Sequence, residues 1–265
     1  MSLPYVEHGE RSGQPVLLLL HAWGESLRSF SRLLPLLPSR VRAIAMDQRG
    51  YGNADKPADA YAMAHYVADL VAFQDVLALG PCVLVGSSSG GYVAQHFALA
   101  EPTRTQGLVL VGAPRSLRGR PPFADEVDQL TDPLNRDWVR SSLAWFEFHQ
   151  PVPADYVEDR VDDGMRMPAQ VWKQALAGFS DAPIPTETGS ISAPTLIIWG
   201  ERDNLLPRGD ATRLAAAIPG SRLVTYESTG HMVLWERPES LANDITAFID
   251  EVVIGEVNPP PVGQT

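Results

Sequence analysis

Apolar residues recur along this chain in two rhythms. The apolar run at 15–20 is continuous and shows no alternation of polar and apolar positions, and further largely apolar strands are read at 41–46, 82–85, 107–111 and 194–200. A strand buried on both faces, inside a parallel sheet, has that pattern. Residues 3–8 read as an edge strand and 222–226 as a further strand. Between the runs, apolar positions return at helical spacing. Val67, Leu70, Val71 and Leu77 share a face of a helix over 64–79, and segments 92–100 and 209–217 are also helical. Leu241, Ile245, Phe248, Ile249 and Val252 form the buried stripe of a helix that starts after Pro238. Residues 27–37 read as one helix with Pro35 near its end. Strand–helix–strand repetition requires a parallel sheet with right-handed crossovers. In such a sheet, functional residues collect where strands end at their carboxyl edge.

From about 115 to 189 the rhythm changes. Apolar strands vanish, prolines punctuate the segment, and Trp138, Trp145, Phe146, Phe148, Tyr156, Trp172 and Phe179 sit on short helical stretches. This predicts a helical cap, 115–189, inserted into a core domain formed by 1–114 and 190–256. A lid over an apolar pocket must be apolar beneath. Trp138, Trp145 and Phe148 are therefore expected to meet substrate, while most of the other cap aromatics pack its own core. The tail 257–265 holds three consecutive prolines and is expected to be disordered.

Composition narrows the function. The formal net charge is -11, which argues against nucleic acid as a partner. Cys82 is the only cysteine, so no disulfide can form within the chain. The run at 16–20 is too short for a signal core or a membrane span. A soluble cytoplasmic protein with no membrane partner is expected, its oligomeric state left open.

The candidate chemistry centres on Gly86-Ser87-Ser88-Ser89-Gly90, where the 82–85 run breaks into a helix. Gly-x-Ser-x-Gly between strand and helix is a nucleophile elbow. The turn is so tight that side chains two positions either side of Ser88 would collide, and glycine removes the collision. A serine hydroxyl needs a base, and the base needs an acid to fix its tautomer. Ser88, Asp203 and His231 each directly follow a predicted strand, in the chain order that accompanies this elbow. His8, His65, His96 and His149 fall near the chain start, on helices or in the cap. Among acids, Glu201 lies too close to its strand and Asp210 already belongs to the next helix, which favours Asp203. Two backbone N–H groups are expected to hold the oxyanion: that of Ser89, after the nucleophile, and that of Trp23, after the first buried strand. Ser89 is expected to contribute its backbone rather than its hydroxyl, and the Trp23 indole to border the pocket.

With the elbow, Asp47-Gln48-Arg49-Gly50-Tyr51-Gly52, Gly200-Glu201-Arg202-Asp203 and Gly230-His231, the chain resembles the α/β-hydrolase-fold serine hydrolases over nearly its whole length. The resemblance implies an α/β fold with a mostly parallel eight-stranded sheet flanked by helices, and a cap between the sixth and seventh strands. It implies structural roles for Asp47 and Arg49 and no cofactor or metal. One departure stands out: His21-Ala22 occupies the place of the family's His-Gly. Alanine resists positive φ, so the oxyanion loop is expected to sit differently. Ser88 argues against dehalogenase and epoxide hydrolase chemistry, which in this fold use aspartate at the elbow. The expected activity is hydrolysis of a small-molecule ester or lactone through an acyl-enzyme. Carbon–carbon hydrolases and cofactor-free haloperoxidases (perhydrolases) also keep the serine, although the latter often carry methionine where Ser89 stands. A receptor-like protein that binds ligand with slow turnover is a further alternative.

Overall fold

The computed structural model describes residues 1–207 and 209–257, the last five of these as helical backbone only. Seven strands form one sheet: β1 (Tyr5–His8), β2 (Val16–Leu20), β3 (Arg42–Met46), β4 (Cys82–Ser87), β5 (Thr105–Val111), β6 (Thr195–Gly200) and β7 (Arg222–Tyr226). Their order is β1-β3-β2-β4-β5-β6-β7, with only β1 antiparallel to its neighbour. The eight strands implied by the resemblance are thus corrected to seven among the described residues. The sequence holds no further apolar run to supply another, and the helical insertion falls between the fifth and sixth strands.

The apolar runs are explained by burial on both faces. Leu18 and Leu20 of β2 join one core layer, with Tyr66 and Leu70 of α1 (Met63–Val76) and Val93 and Phe97 of α2 (Ser89–Ala100). Leu17 and Leu19 join the opposite layer, with Leu241, Ile245 and Ile249 of α10 (Pro238–Val257). β2, β4 and β6 are buried at every position, whereas β1 and β7 close the two edges and are only partly covered. Segment 27–37 is not the single helix its sequence suggests but two 3₁₀ turns, Leu27–Phe30 and Leu34–Leu36. Ser26 caps the first through Arg28 N–H, the Asp47 carboxylate takes the Leu27 N–H, and Pro35 has no N–H to continue a helix.

Between β5 and β6 the chain forms α3 (Ala124–Asp128), α4 (Arg136–Ser142), α5 (Ala154–Met165), α6 (Ala169–Asp181) and α7 (Pro185–Thr188). This segment faces the carboxyl edge of the sheet, where its Phe123, Trp145 and Trp172 reach Trp23 in the loop after β2. Helices α8 (Asp210–Ala217) and α9 (Val233–Glu236) complete the described elements. Among the described residues, no helix is long and apolar enough to cross a membrane. All but the first residue of the 257–265 tail lies outside the described residues.

Candidate active site

β4 delivers Ser88 to the sheet edge through a turn that only small residues allow. A Cβ at Gly86 would lie 2.4 Å from Gly91 Cα, and one at Gly90 would lie 2.3 Å from the Leu20 carbonyl oxygen. Ser88 itself adopts φ 47°, ψ −119°, a conformation that costs a non-glycine residue of the order of 1–3 kcal/mol. The neighbours over-determine it: Ser88 N–H donates to Val111 O at 2.9 Å, and Ser88 O receives the N–H groups of Gly91 and Tyr92. The strain leaves the hydroxyl at the mouth of α2 and facing a cavity.

The structure brings Ser88, His231 and Asp203 into one hydrogen-bonded line. His231 Nε2 lies 3.0 Å from Ser88 Oγ, and His231 Nδ1 lies 2.7 Å from Asp203 Oδ2. Asp203 Oδ1 accepts the N–H groups of Leu205 and Leu206 at 2.9 and 3.0 Å. The carboxylate is thus fixed and must accept from Nδ1–H, which leaves Nε2 as the lone-pair nitrogen toward Ser88. The His231 and Asp203 side chains are almost wholly buried, so water does not compete for that bond. Of the rival acids, Asp210 instead accepts the Arg115 N–H, and Glu201 receives the Ser228 N–H.

The loop after β2 departs from expectation in two ways. Its positive φ falls at Gly24 (82°) rather than at residue 22, so Ala22 is accommodated in ordinary backbone. A Cβ at Gly24 would meet the Trp172 ring at 2.8 Å. The second departure concerns Ser89. Its hydroxyl is not idle: Trp23 N–H donates to Ser89 Oγ at 2.7 Å. The N–H assigned to the oxyanion is therefore already engaged by the residue after the nucleophile. His21 anchors this loop as a neutral ring, with Nδ1 at 2.8 Å from Ala22 O and Nε2 accepting the Gln48 N–H at 3.1 Å. Burial holds its pKa below the ordinary value against the pull of Asp47. Asp47 and Arg49 brace the neighbouring turn, through the N–H groups of Leu27 and Asn53 and through Asp69 respectively.

The cavity in front of Ser88 measures about 410 Å³. Trp23 and Trp145 line it, as the sequence suggests; Trp138 and Phe148 do not. Trp138 stands behind the wall, edge-on to Trp145 and Trp172, and Phe148 packs on Trp235. Phe123 and Trp172 take their places. Phe123 stacks on Trp145 at a centroid distance of 4.3 Å and on Trp23 at 5.7 Å, those two indoles themselves lie 6.3 Å apart, and Trp172 meets Trp23 edge-on at 4.6 Å. Phe146 lies parallel to the His231 ring, 5.6 Å away. These residues carried no sequence signal beyond being aromatic in the insertion. Glu236 was also unforeseen: its carboxylate binds the N–H groups of Gly230, His149 and Gln150, tying the insertion to the His231 loop. Among the described residues, no cluster of three or more His, Cys, Asp or Glu side chains is placed to hold a metal ion.

Comparison with known proteins bears on the family and the fold. The family model described as α/β hydrolase fold matches residues 15–238. A non-heme chloroperoxidase of Streptomyces lividans is 31% identical over 268 residues, covering 92% of this chain and 95% of that protein. A 2-hydroxy-6-oxononadienedioate/2-hydroxy-6-oxononatrienedioate hydrolase of Pseudomonas putida is 29% identical, covering 94% and 92% respectively. The solved enol-lactonase of Burkholderia xenovorans superposes with a TM-score of 0.81 at 22% identity, over 94% of this chain and 96% of that one, a likeness of fold.

Proposed function

The chain belongs to the α/β-hydrolase fold family and is a hydrolase, and from that premise we propose that it cleaves carboxylic esters or lactones through an acyl-enzyme on Ser88. One observation carries the reading: the Ser88–His231–Asp203 line, with Nε2 at 3.0 Å from Oγ and Nδ1 at 2.7 Å from the carboxylate. His231 Nε2 takes the Ser88 proton as Oγ attacks the substrate carbonyl. Asp203 holds the ring in the required tautomer and stabilises the imidazolium that forms. The Ser89 N–H, at the N-terminus of α2, faces the developing oxyanion, where the helix dipole adds to the hydrogen bond. His231 then protonates the leaving alcohol, and water repeats the sequence on the acyl group. The aromatic wall of Trp23, Phe123, Trp145 and Trp172 supports a compact, largely apolar acyl or alcohol group. Residues 115–189 act as its cap, and no cofactor takes part.

Ser88→Ala should abolish hydrolysis of a p-nitrophenyl ester while leaving the melting temperature near that of the parent. Retained activity in that variant rules out Ser88 as the nucleophile. A second reading, perhydrolysis with dependent halogenation, is favoured by the likeness to the Streptomyces chloroperoxidase. Peroxide- and acetate-dependent halogenation that exceeds ester hydrolysis would select it.

A further inference from the structure

An acyl-transfer site of this kind needs two donors for the oxyanion, and the proposed hydrolase reading, on which this inference rests, leaves the second one open. Ser89 N–H is the first amide of α2, beyond the reach of any carbonyl of its own helix. The other expected donor, Trp23 N–H, is held at 2.7 Å by Ser89 Oγ. A serine hydroxyl has one proton and two lone pairs. Here a lone pair receives Trp23, and the hydroxyl makes no other hydrogen bond among the described residues, so its proton has no acceptor. Ser89 is 5% exposed, and it lines the cavity beside Ser88. A buried hydroxyl with an unassigned proton, next to the nucleophile and polarised by an amide behind it, is a donor waiting for an acceptor.

We propose that the Ser89 hydroxyl is the second oxyanion donor. The residue after the nucleophile then supplies both hydrogen bonds, one from its N–H and one from its side chain. Trp23 is a positioning residue that orients and polarises Ser89 Oγ. As Ser88 Oγ bonds to the carbonyl carbon, the C=O π pair moves onto oxygen and the Ser88 proton moves to His231 Nε2. Ser89 O–H turns to that oxygen and donates without giving up its proton. On collapse the pair returns to re-form C=O, and the leaving alkoxide takes the proton from His231. Accepting from Trp23 strengthens Ser89 O–H as a donor, because hydrogen bonds in a chain polarise one another.

The test compares the parent with Ser89→Ala, Ser89→Cys and Ser89→Thr on a p-nitrophenyl ester, and measures the rate at which a fluorophosphonate labels Ser88. Removing one oxyanion donor costs about 10²–10³-fold in kcat. Ser89→Ala should fall in that range with KM changed by little, its labelling rate should fall in parallel, and inhibition by a trifluoromethyl ketone should weaken by a similar factor. Ser89→Thr, which keeps the hydroxyl, should restore most of the loss. Ser89→Cys, with a weak S–H donor in nearly the same volume, should not, and it stands in should the alanine variant fold poorly. An unchanged kcat in Ser89→Ala overturns the assignment. A raised kcat does so too, since the hydroxyl would then only shield Trp23 N–H. A parent protein that is neither labelled nor turns over any ester fails the hydrolase reading itself and takes this assignment with it. A labelled parent with an equally labelled alanine variant fails the Ser89 assignment alone.

Discussion

Asp203 uses both carboxylate oxygens, Oδ2 on the His231 ring and Oδ1 on the N–H groups of Leu205 and Leu206. Asparagine there could keep the shape while presenting an NH₂ group to Nδ1, which favours the wrong tautomer. Asp203→Asn should therefore lower kcat about 10⁴-fold with little change in stability, as steady-state kinetics beside thermal melting would show. His21 yields a prediction about pH. Its folded-state pKa is lowered by burial, so the unfolded chain binds the proton first as pH falls through about 6.5. Stability should drop as the solution is acidified below that value, by up to about 1.4 kcal/mol per pH unit for each such proton. His96, pushed down to about 4 by burial, acts in the same direction. Urea midpoints between pH 7.5 and 5, with NMR titration of the His21 ring, check this; a ring that titrates at its ordinary value contradicts it. Ser88, Asp203 and His231 were legible because each is marked locally, by glycines two positions away or by the end of a strand. The use of the Ser89 hydroxyl was not, because it depends on how the loop after β2 folds back.

The segment 145–150 shows what element-level packing adds to those residues. Phe146 covers the His231 ring, Trp145 O and Glu147 N–H are tied to Asn204 beside Asp203, and Gln150 binds Ser228 O. Glu236 fastens the same strap to Gly230 from below, and a Cβ at Gly230 would lie 2.3 Å from Glu147 O. One strap thus touches the loops that carry both acid and base. Glu236→Ala strips three backbone N–H groups of a charged acceptor and should cost about 3 kcal/mol. It should also lower kcat, whereas Glu236→Gln, which can keep two acceptor bonds through its amide oxygen, should lose less of both. Equal losses in the two variants, by denaturant unfolding and kinetics, would contradict this account. No sequence pattern marks such a strap, because its bonds run from side chains to distant backbone. The opposite error occurred at 27–37, where helical spacing of apolar residues was overridden by Pro35 and by the polar groups of Ser26 and Asp47. The parallel strands were easier to read, since burial on both faces leaves largely apolar runs.

For the whole molecule, the sheet fixes the reacting groups and the insertion sets the space before them. Arg28 on the core side binds Asp159 and Asp163 of α5, and Arg160, also on α5, lies over Tyr156 and pairs with Asp163 at 2.9 Å. The two Arg28 pairs tie α5 to the core, while the Arg160 contacts stay within α5; the cavity before Ser88 measures about 410 Å³. Trp145→Ala should open its aromatic wall and shift the preferred p-nitrophenyl ester toward longer acyl chains. An unchanged chain-length profile would place the specificity-setting wall elsewhere. The existence of the insertion was legible from vanished strands and frequent prolines, but which aromatics face inward was not, since that depends on the rotation of short helices. The most direct test of the account is peptide mapping by mass spectrometry after rapid acid quench during turnover of a p-nitrophenyl ester. An acyl adduct on the peptide carrying Ser88, absent in Ser88→Ala, is the predicted result. Turnover with the adduct on another residue, or with none in the burst phase of a slowly deacylating ester, would contradict it.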